Sequence, residues 1–511
     1  MQPSRTRNYL AGLVTGYAVT LVTVAVGLWL TPFTLRFLDR EEYAIFALTG
    51  DILMWLNLLD LGITAGLNVQ AAQLTGRPDQ DRLNRLASTA FFTQMAVVGM
   101  VIVAGAGITL AFPSFFHVRP DLQTQAMQVV ALLVLSSAMG MGTQTFSALL
   151  VAHQQIHIDN LIRLGLIAIR TALTVLLLLA GWKLLSLAVA SVVATGFIAV
   201  LAVWRAFRTV PGLTIRRRLA SWKIMRSMGS LGIWFSLGGL AGIAIQSLDR
   251  LVAARLISLE SVTTLSLTGR VYALSGGLLA QISNTARPAL GQLMGQGKLE
   301  EAYRNYRHLF ALSSGGAIVV ALSLWAGNGI FVPWWVGSQN YGGGWLDLAL
   351  ALNLIVHSWV LPNRAALSAG LILRPQAISR IIEGLLNLGL AILLGSYYGL
   401  VGIVISTAIA GIITSCWYLP WLTAKLFHQD FLSLIWPDSV RLIFVALIIF
   451  LISFYVRSIG MNHNTINGVI VSGIIPLIIG IPLLIIFTFD HSLRSLLYAK
   501  FKIIMPFNFL S

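Results

Sequence analysis

The sequence predicts an all-α polytopic membrane protein, with about fourteen transmembrane helices in two six-helix lobes related by a parallel pseudo-repeat, plus two peripheral helices. Three observations carry this expectation. The 511 residues are 57% hydrophobic and 10% charged, whereas a soluble domain is about 25% charged. The apolar runs reach about 20 residues or more, enough to cross roughly 30 Å at about 1.5 Å per residue, and too long for the alternating strands of about ten residues that build a β-barrel. Finally, residues 36–76 and 255–295 align without a gap. Arg36, Glu41, Leu48-Thr49-Gly50, Gln73-Leu74 and Gly76 recur there as Arg255, Glu260, Leu267-Thr268-Gly269, Gln292-Leu293 and Gly295.

Taken in order, the first six spans are expected at roughly 10–31, 44–67, 87–112, 127–151, 162–181 and 184–204. The next six are expected at roughly 228–248, 262–288, 309–332, 346–372, 377–396 and 400–424, and the last two at 441–456 and 467–489. This divides the chain into a first lobe (1–204), a basic linker (205–227), a second lobe (228–424) and a C-terminal pair of helices with a tail (425–511). Arg5 and Arg7 precede the first run, which lacks a small-residue cleavage site and is expected to be retained as a helix. Spans 1 and 7 begin the two copies, so both copies enter the membrane the same way up. The last two spans carry almost no polar side chain and are expected to face lipid all round.

The net charge of +16 comes from Lys and Arg in the connections between spans. That is a positive-inside distribution and excludes a nucleic-acid surface. With both termini cytoplasmic, about 23 basic residues fall inside and about seven outside, the latter being Arg36, Arg40, Arg119, Lys183, Arg250, Arg255 and Arg457. The linker with Arg216-Arg217-Arg218 fixes orientation and attracts anionic lipid.

Several ionisable residues fall inside the expected spans: Asp51, Asp60, Arg170, Arg270, His357, Arg364 and Glu383. A charge at mid-membrane costs roughly 3 kcal/mol, so such groups face a water-filled cavity or one another. In the second copy Arg270, Arg287 and Arg364 are opposed mainly by Glu383. A surplus of arginine suits an anion, because guanidinium grips phosphate as a fork. Arg170 joins this substrate-binding set, with Asn284 and Gln246 as neutral donors suited to sugar hydroxyls; Asp51, Asp60 and Glu383 are candidates for gating or ion coupling. Asp51 follows the first Leu-Thr-Gly and Arg270 the second. The two are expected to pair across the cavity when its outer mouth is closed. Close helix approach is expected at Gly12 and Gly16, and at Gly238 and Gly242.

Enzyme chemistry finds little support. Gly291–Lys298 has the wrong spacing for a phosphate loop, and Leu299 stands where Ser or Thr is needed. His153 and His157 have helical ligand spacing without a third ligand nearby, and Cys416 is a single thiol in an apolar helix, so neither a metal nor a cofactor is expected. Asp39-Arg40-Glu41-Glu42 is the one acidic cluster outside and is expected to be a solvated helix connection.

Leu30-Thr31-Pro32, the run Phe37-Leu38-Asp39-Arg40-Glu41-Glu42-Tyr43-Ala44-Ile45-Phe46-Ala47-Leu48, and Leu59-Asp60-Leu61-Gly62-Ile63 resemble the opening of polysaccharide-exporting flippases of the Wzx type, within the multidrug/oligosaccharidyl-lipid/polysaccharide (MOP) exporter superfamily. Ala44 replaces the glycine that usually follows the tyrosine. The resemblance implies a bacterial inner-membrane protein that moves a polyprenyl-pyrophosphate-linked oligosaccharide by alternating access through a cationic cavity, for polysaccharide or O-antigen biosynthesis. It also implies membrane lipids, a glycan polymerase and chain-length proteins as partners, no nucleic acid, and a monomer. The alternatives are a drug/cation antiporter of the same superfamily, a lipid II flippase, or, from another class, a membrane-embedded glycan polymerase or glycosyltransferase. The last lacks the large outer catalytic loop it needs.

Overall fold

The computed structural model describes residues 3–60, 63, 64, 67, 70, 71, 79–153, 155–460 and 466–488, and among them every regular element is a helix. The end of the first repeat at Gln73-Leu74 and the tail beyond Thr488 lie outside the described residues, as does the side-chain environment of Gly12. The chain divides into two compact units, Met1–Thr263 and Thr264–Ser511.

In the first unit, α1 (Pro3–Thr34) and α2 (Arg40–Asn57) are joined by a tight connection. Asp39 and Glu42 close a reciprocal capping box at the start of α2: the Glu42 N–H donates to Asp39 Oδ1 at 2.8 Å, and the Asp39 N–H to Glu42 Oε2 at 2.8 Å. Then follow α3 (Gln80–Phe115), α4 (Gln123–Ala152), α5 (Ile156–Leu179), α6 (Leu184–Thr209) and α7 (Trp222–Leu256). Ile45 and Leu48 of α2, Phe112 of α3 and Val130 of α4 are buried together in the core. The sequence repeat begins a second lobe at span 7, but α7 packs against α2 and α3 and sits within the first unit.

Helix α8 (Leu259–Thr268) carries the chain into the second unit. Its start repeats the capping of α2 at the equivalent position, where Ser258 Oγ accepts the Ser261 N–H at 3.2 Å. The second unit holds α9 (Arg270–Gly295), α10 (Leu299–Val336), α11 (Gly344–Ala369), α12 (Leu373–Ile413), α13 (Ser415–Leu426), α14 (Phe431–Gly460) and α15 (Ile466–Thr488). The two copies differ at Leu-Thr-Gly. Gly50 lies in unbroken helix, whereas the chain turns at Gly269 between α8 and α9. There the Thr268 carbonyl accepts from Asn328 Nδ2 at 3.0 Å, so a side chain from α10 holds the break.

Among the described residues, eleven helical stretches are long and apolar enough to cross a membrane. The chain is a multi-pass membrane protein. The difference from the expected fourteen falls in three places. Helix α2 is short, with 18 residues, and the α8–α9 region is broken and polar. The stretch Leu373–Leu426 counts once although its 54 residues would extend about 80 Å as one helix. It breaks at Gly399, with φ 59° and ψ −140°, between the two spans expected there.

The expectation that the last two spans face lipid all round is corrected. Leu442, Val445 and Ile449 of α14 and Leu484 of α15 are buried in one cluster with Tyr306 and Phe310 of α10, while Ile443, Leu447 and Leu451 are exposed. A Cβ at Gly327 would stand 3.1 Å from the backbone of Gly473, so α10 and α15 touch main chain to main chain. Arg457, expected in an outer loop, is in the last turn of α14.

Candidate intramembrane polar site

In the first unit the Asp51 carboxylate is bound as a fork by Arg250. Arg250 Nε donates to Oδ2 at 2.6 Å and Nη2 donates to Oδ1. Asp51 is 4% exposed, so burial of its charge is tolerated only through this partner. One turn along, Trp55 Nε1 donates to Ser247 Oγ at 2.7 Å, so α2 and α7 are stitched at two levels. At the start of α2, Arg40 pairs with Glu260 at 3.2 Å, and Thr263 Oγ1 donates to the Arg40 carbonyl at 2.6 Å. These contacts correct one expectation: Arg250 belongs to a helix instead of an outer loop. Within the first unit the partner of Asp51 is Arg250. An arginine only two residues beyond the end of the expected span at 248 was the available signal.

The acidic run 39–42 is also more than a solvated connection. Arg119, between α3 and α4, reaches Asp39 Oδ2 at 2.6 Å and Glu41 Oε2 at 2.9 Å, and its N–H donates to Glu41 Oε1 at 3.0 Å. The hydrogen bond to Asp39 raises the Arg119 guanidinium above its ordinary pKa. Burial raises the Glu42 carboxyl above the usual carboxylate range, against the Asp39 N–H that favours its charge.

Of the remaining candidates in this unit, Asp60 accepts from Thr64 Oγ1 at 3.0 Å, and the same hydroxyl lies 2.9 Å from the Gln144 side-chain amide. Gln246 and Arg170 are exposed on α7 and α5, and no ion pair engages Arg170 among the described residues. An exposed arginine in a membrane helix requires water or a polar ligand.

In the second unit α9 presents an exposed stripe of Ala273, Gly277, Gln281, Asn284, Pro288 and Gln292, spaced three or four residues apart. Small and polar residues on one face of a membrane helix fit water or a polar ligand, since lipid would leave the amides unsatisfied. Arg287 Nη2 donates to Asn284 Oδ1 at 2.8 Å beside this stripe. Arg270, at the first position of α9, has a buried Nε with no hydrogen-bond partner among the described residues. It follows immediately on the break held by Asn328.

Arg364 is placed differently. Its Nη2 donates to Glu383 Oε2 at 3.2 Å, and Ser415 Oγ donates to the same oxygen. With the Arg364 side chain 14% exposed and that of Glu383 11% exposed, the two form a closed pair between α11 and α12. His357 is half-buried on α11, two helical turns before Arg364.

A larger polar centre surrounds Asp347, a residue absent from the sequence-based candidates and fully buried here. Its Oδ1 accepts from Tyr272 Oη at 2.9 Å and Asn328 Nδ2 at 2.7 Å; its Oδ2 accepts from Tyr341 Oη at 3.0 Å and Arg457 Nη1 at 3.5 Å. The Arg457 guanidinium also lies 5.1 Å from the Trp325 ring centroid and donates to the Trp325 carbonyl. Four side chains, from three helices and one loop, thus satisfy one carboxylate. Asp347 went unnoticed because it lies at the first turn of its span, where a charge looks like a helix-end residue.

Among the described residues no cluster of His, Cys, Asp or Glu could hold a metal ion. A family model described as polysaccharide biosynthesis protein matches residues 35–339, more than half of the chain. Comparison with curated proteins gives no match. The fold is similar to an inward-facing multidrug resistance MATE family transporter of the MOP superfamily, with a TM-score of 0.66 and 16% identity over 81% of this chain and 96% of that one. It is similar also to the lipid II flippase MurJ in an inward closed conformation, with a TM-score of 0.67 and 14% identity over 96% of this chain and 100% of that one. A MOP superfamily transporter from Pyrococcus furiosus, described by a reverse polarity of its binding pocket, aligns with a TM-score of 0.58 and 15% identity over 82% of this chain and 94% of that one.

Proposed function

The chain belongs to the polysaccharide biosynthesis protein family, and on that premise we propose that it is a flippase for a polyprenyl-pyrophosphate-linked oligosaccharide, moving it across a bacterial inner membrane by alternating access. The observation that carries the proposal is the exposed amide stripe of α9 with the Arg287–Asn284 pair beside it. Amides suit sugar hydroxyls, and a guanidinium suits the pyrophosphate. Arg170 and Arg270 supply further cationic groups, one in each unit, and Gln246 a further amide. In the second unit Arg270, Arg287 and Asn284 are the substrate-binding residues, and in the first unit the candidates are Arg170 and Gln246. Arg364 serves the pair with Glu383. Asp51 acts with Arg250 to hold α2 against α7 during part of the cycle. Asp60 and Glu383 are the candidate ion-coupling groups. Both termini face the cytoplasm.

Purified protein in proteoliposomes should translocate a fluorescent polyprenyl-pyrophosphate oligosaccharide, and Arg287→Ala and Asn284→Ala should slow it while both variants reconstitute normally. Transport of a lipophilic cation instead, with no effect of the oligosaccharide lipid, would replace the proposal by a drug antiporter. Undiminished flipping in both variants would remove the α9 stripe from the substrate path.

A further inference from the structure

The basic segment between α6 and α7 is laid down as a fixed strap along α3. Asn84 Nδ2 donates to the Gly212 carbonyl at 3.2 Å, and Asn84 Oδ1 accepts the Thr214 N–H at 3.0 Å. Ser88 Oγ donates to the Thr214 carbonyl at 3.3 Å and accepts the Arg216 N–H at 3.1 Å. Thr89 Oγ1 accepts the Ser221 N–H at 3.1 Å. Asn84, Ser88 and Thr89 are buried, and their hydrogen bonds to the strap are all to its main chain. Val210 and Leu213 are buried in the same core as Leu83, Leu86 and Met228. A loop that only signals orientation needs its charges but no fixed backbone. Fixing about ten residues of backbone carries a large entropy cost, which points to a surface that must be presented in one shape.

That surface is cationic and aromatic. Arg216, Arg217 and Arg218 are exposed along the strap, the last two in a short turn at Arg217–Leu219. Lys223 and Arg226 follow on the first turns of α7, and Arg82 and Arg85 stand exposed on α3. None of these is in an ion pair among the described residues. The acids on this rim are few: Asp79 caps α3, Asp81 is exposed beside it, and Asp159 is taken by Arg163 at 2.9 Å. Trp222 is 74% exposed and Trp204 is 46% exposed at the ends of α7 and α6, with the Arg208 guanidinium 4.7 Å from the Trp204 ring centroid. Exposed tryptophans at the ends of apolar helices lie at headgroup depth, where their rings are amphipathic anchors. The phosphates of that leaflet then meet the guanidinium forks at the same level.

We propose that the 210–226 strap, fixed on α3 by Asn84, Ser88 and Thr89, is a built binding site for anionic phospholipid headgroups. The test uses the full chain in a neutral detergent and fluorescent phosphatidylglycerol, with equally labelled phosphatidylcholine as control. The protein should bind phosphatidylglycerol at least about tenfold more tightly, with the preference collapsing as salt rises and the Debye length shrinks. Arg216→Gln with Arg217→Gln and Arg218→Gln should weaken phosphatidylglycerol binding about tenfold or more. Asn84→Ala with Ser88→Ala should weaken it several-fold with every charge retained, in protein that stays monodisperse and keeps its helical circular dichroism. Equal affinity for the two lipids overturns the proposal. So does an Arg-to-Gln triple variant that binds normally, or full binding in the Asn84/Ser88 variant, which would reduce the strap to diffuse loop charge. Tighter binding of polyglutamate than of phosphatidylglycerol would assign the surface to an acidic protein segment and overturn it equally.

Discussion

Arg250 of α7 holds the buried Asp51 carboxylate of α2 with both Nε and Nη2, and no other acid is ion-paired with this guanidinium among the described residues. Removing one member leaves a desolvated charge, which costs about 3 kcal/mol at the lower end of the usual range because Arg250 is partly exposed. Arg250→Ala and Asp51→Ala should each lower the thermal midpoint in detergent by several degrees. The double variant should be less damaged than the sum of the two, with a coupling energy above about 1 kcal/mol. Arg250→Lys should recover only part, since an ammonium cannot form the fork. Additive single and double variants would show that the contact does not couple the helices.

Arg364 and Arg270 should separate in their variants. Arg364→Ala strands Glu383 between α11 and α12 and should reduce the amount of folded protein. Adding Glu383→Gln should restore the amount, because an amide needs no counter-charge and still accepts from Ser415. Arg270→Ala removes a guanidinium whose Nε is already without a partner among the described residues, and should leave folding intact. Thermal stability and size-exclusion yield measure both. Equal loss of yield in Arg270→Ala and Arg364→Ala would make Arg270 a structural residue too.

The helical class, the repeat and most spans were legible because membrane crossing demands a long apolar run, and because Leu-Thr-Gly recurs at a constant offset. The intimacy of α14 and α15 was not. Lipid and protein core both select Ile, Leu and Val, so Ile443 on the exposed face and Val445 on the buried face carry the same sequence signal. Membrane helices therefore lose the polarity contrast that marks a buried face in water. The candidate site was legible in residue type and not in pairing. Spacing placed Asp51, Arg270, Arg364 and Glu383 in spans, but only packing shows that Arg364 is spent on Glu383 and that Asp51 answers to Arg250. Asp347 and Arg457 were hidden at the ends of their helices, where charges ordinarily reach water.

The capping box at α2 gives a pH dependence. Burial raises the Glu42 carboxyl above its ordinary 4.5. A carboxyl with a raised folded pKa favours the folded state below the unfolded value and loses that contribution as pH rises through the folded value. Glu42→Gln keeps an oxygen to accept the Asp39 N–H and carries no charge. The variant should therefore gain stability relative to the parent protein as pH rises above about 4.5 and converge on it at acid pH. Thermal midpoints from pH 4 to 8 test this. A variant less stable than the parent protein at neutral pH, converging on it at acid pH, would mean that the ionised carboxylate, held by the Asp39 N–H with Arg119 and Lys183 nearby, is the favoured form.

The turns between paired spans use one backbone shape twice. Lys183 before α6 has φ 44° and ψ −129°, and Gly399 within α12 has φ 59° and ψ −140°. Glycine adopts this region freely, whereas a side chain there is strained by about 1–3 kcal/mol. Lys183 is kept in it by the turn that follows, in which the Ser186 N–H and Oγ both donate to the Lys183 carbonyl. Lys183→Gly should therefore be neutral or stabilising by up to about 1 kcal/mol, the released strain being offset by a more flexible unfolded chain. Gly399→Ala should destabilise by about 1–2 kcal/mol, although open space surrounds that position, because the cost lies in the backbone alone. Gly402, three residues on, should tolerate nothing larger, since a Cβ there would lie 2.0 Å from the Leu394 carbonyl oxygen. Melting curves of the three variants decide the matter: the order Lys183→Gly, Gly399→Ala, Gly402→Ala from most to least stable is expected. A Gly399→Ala variant as stable as the parent protein would show that the kink does not depend on a left-handed residue.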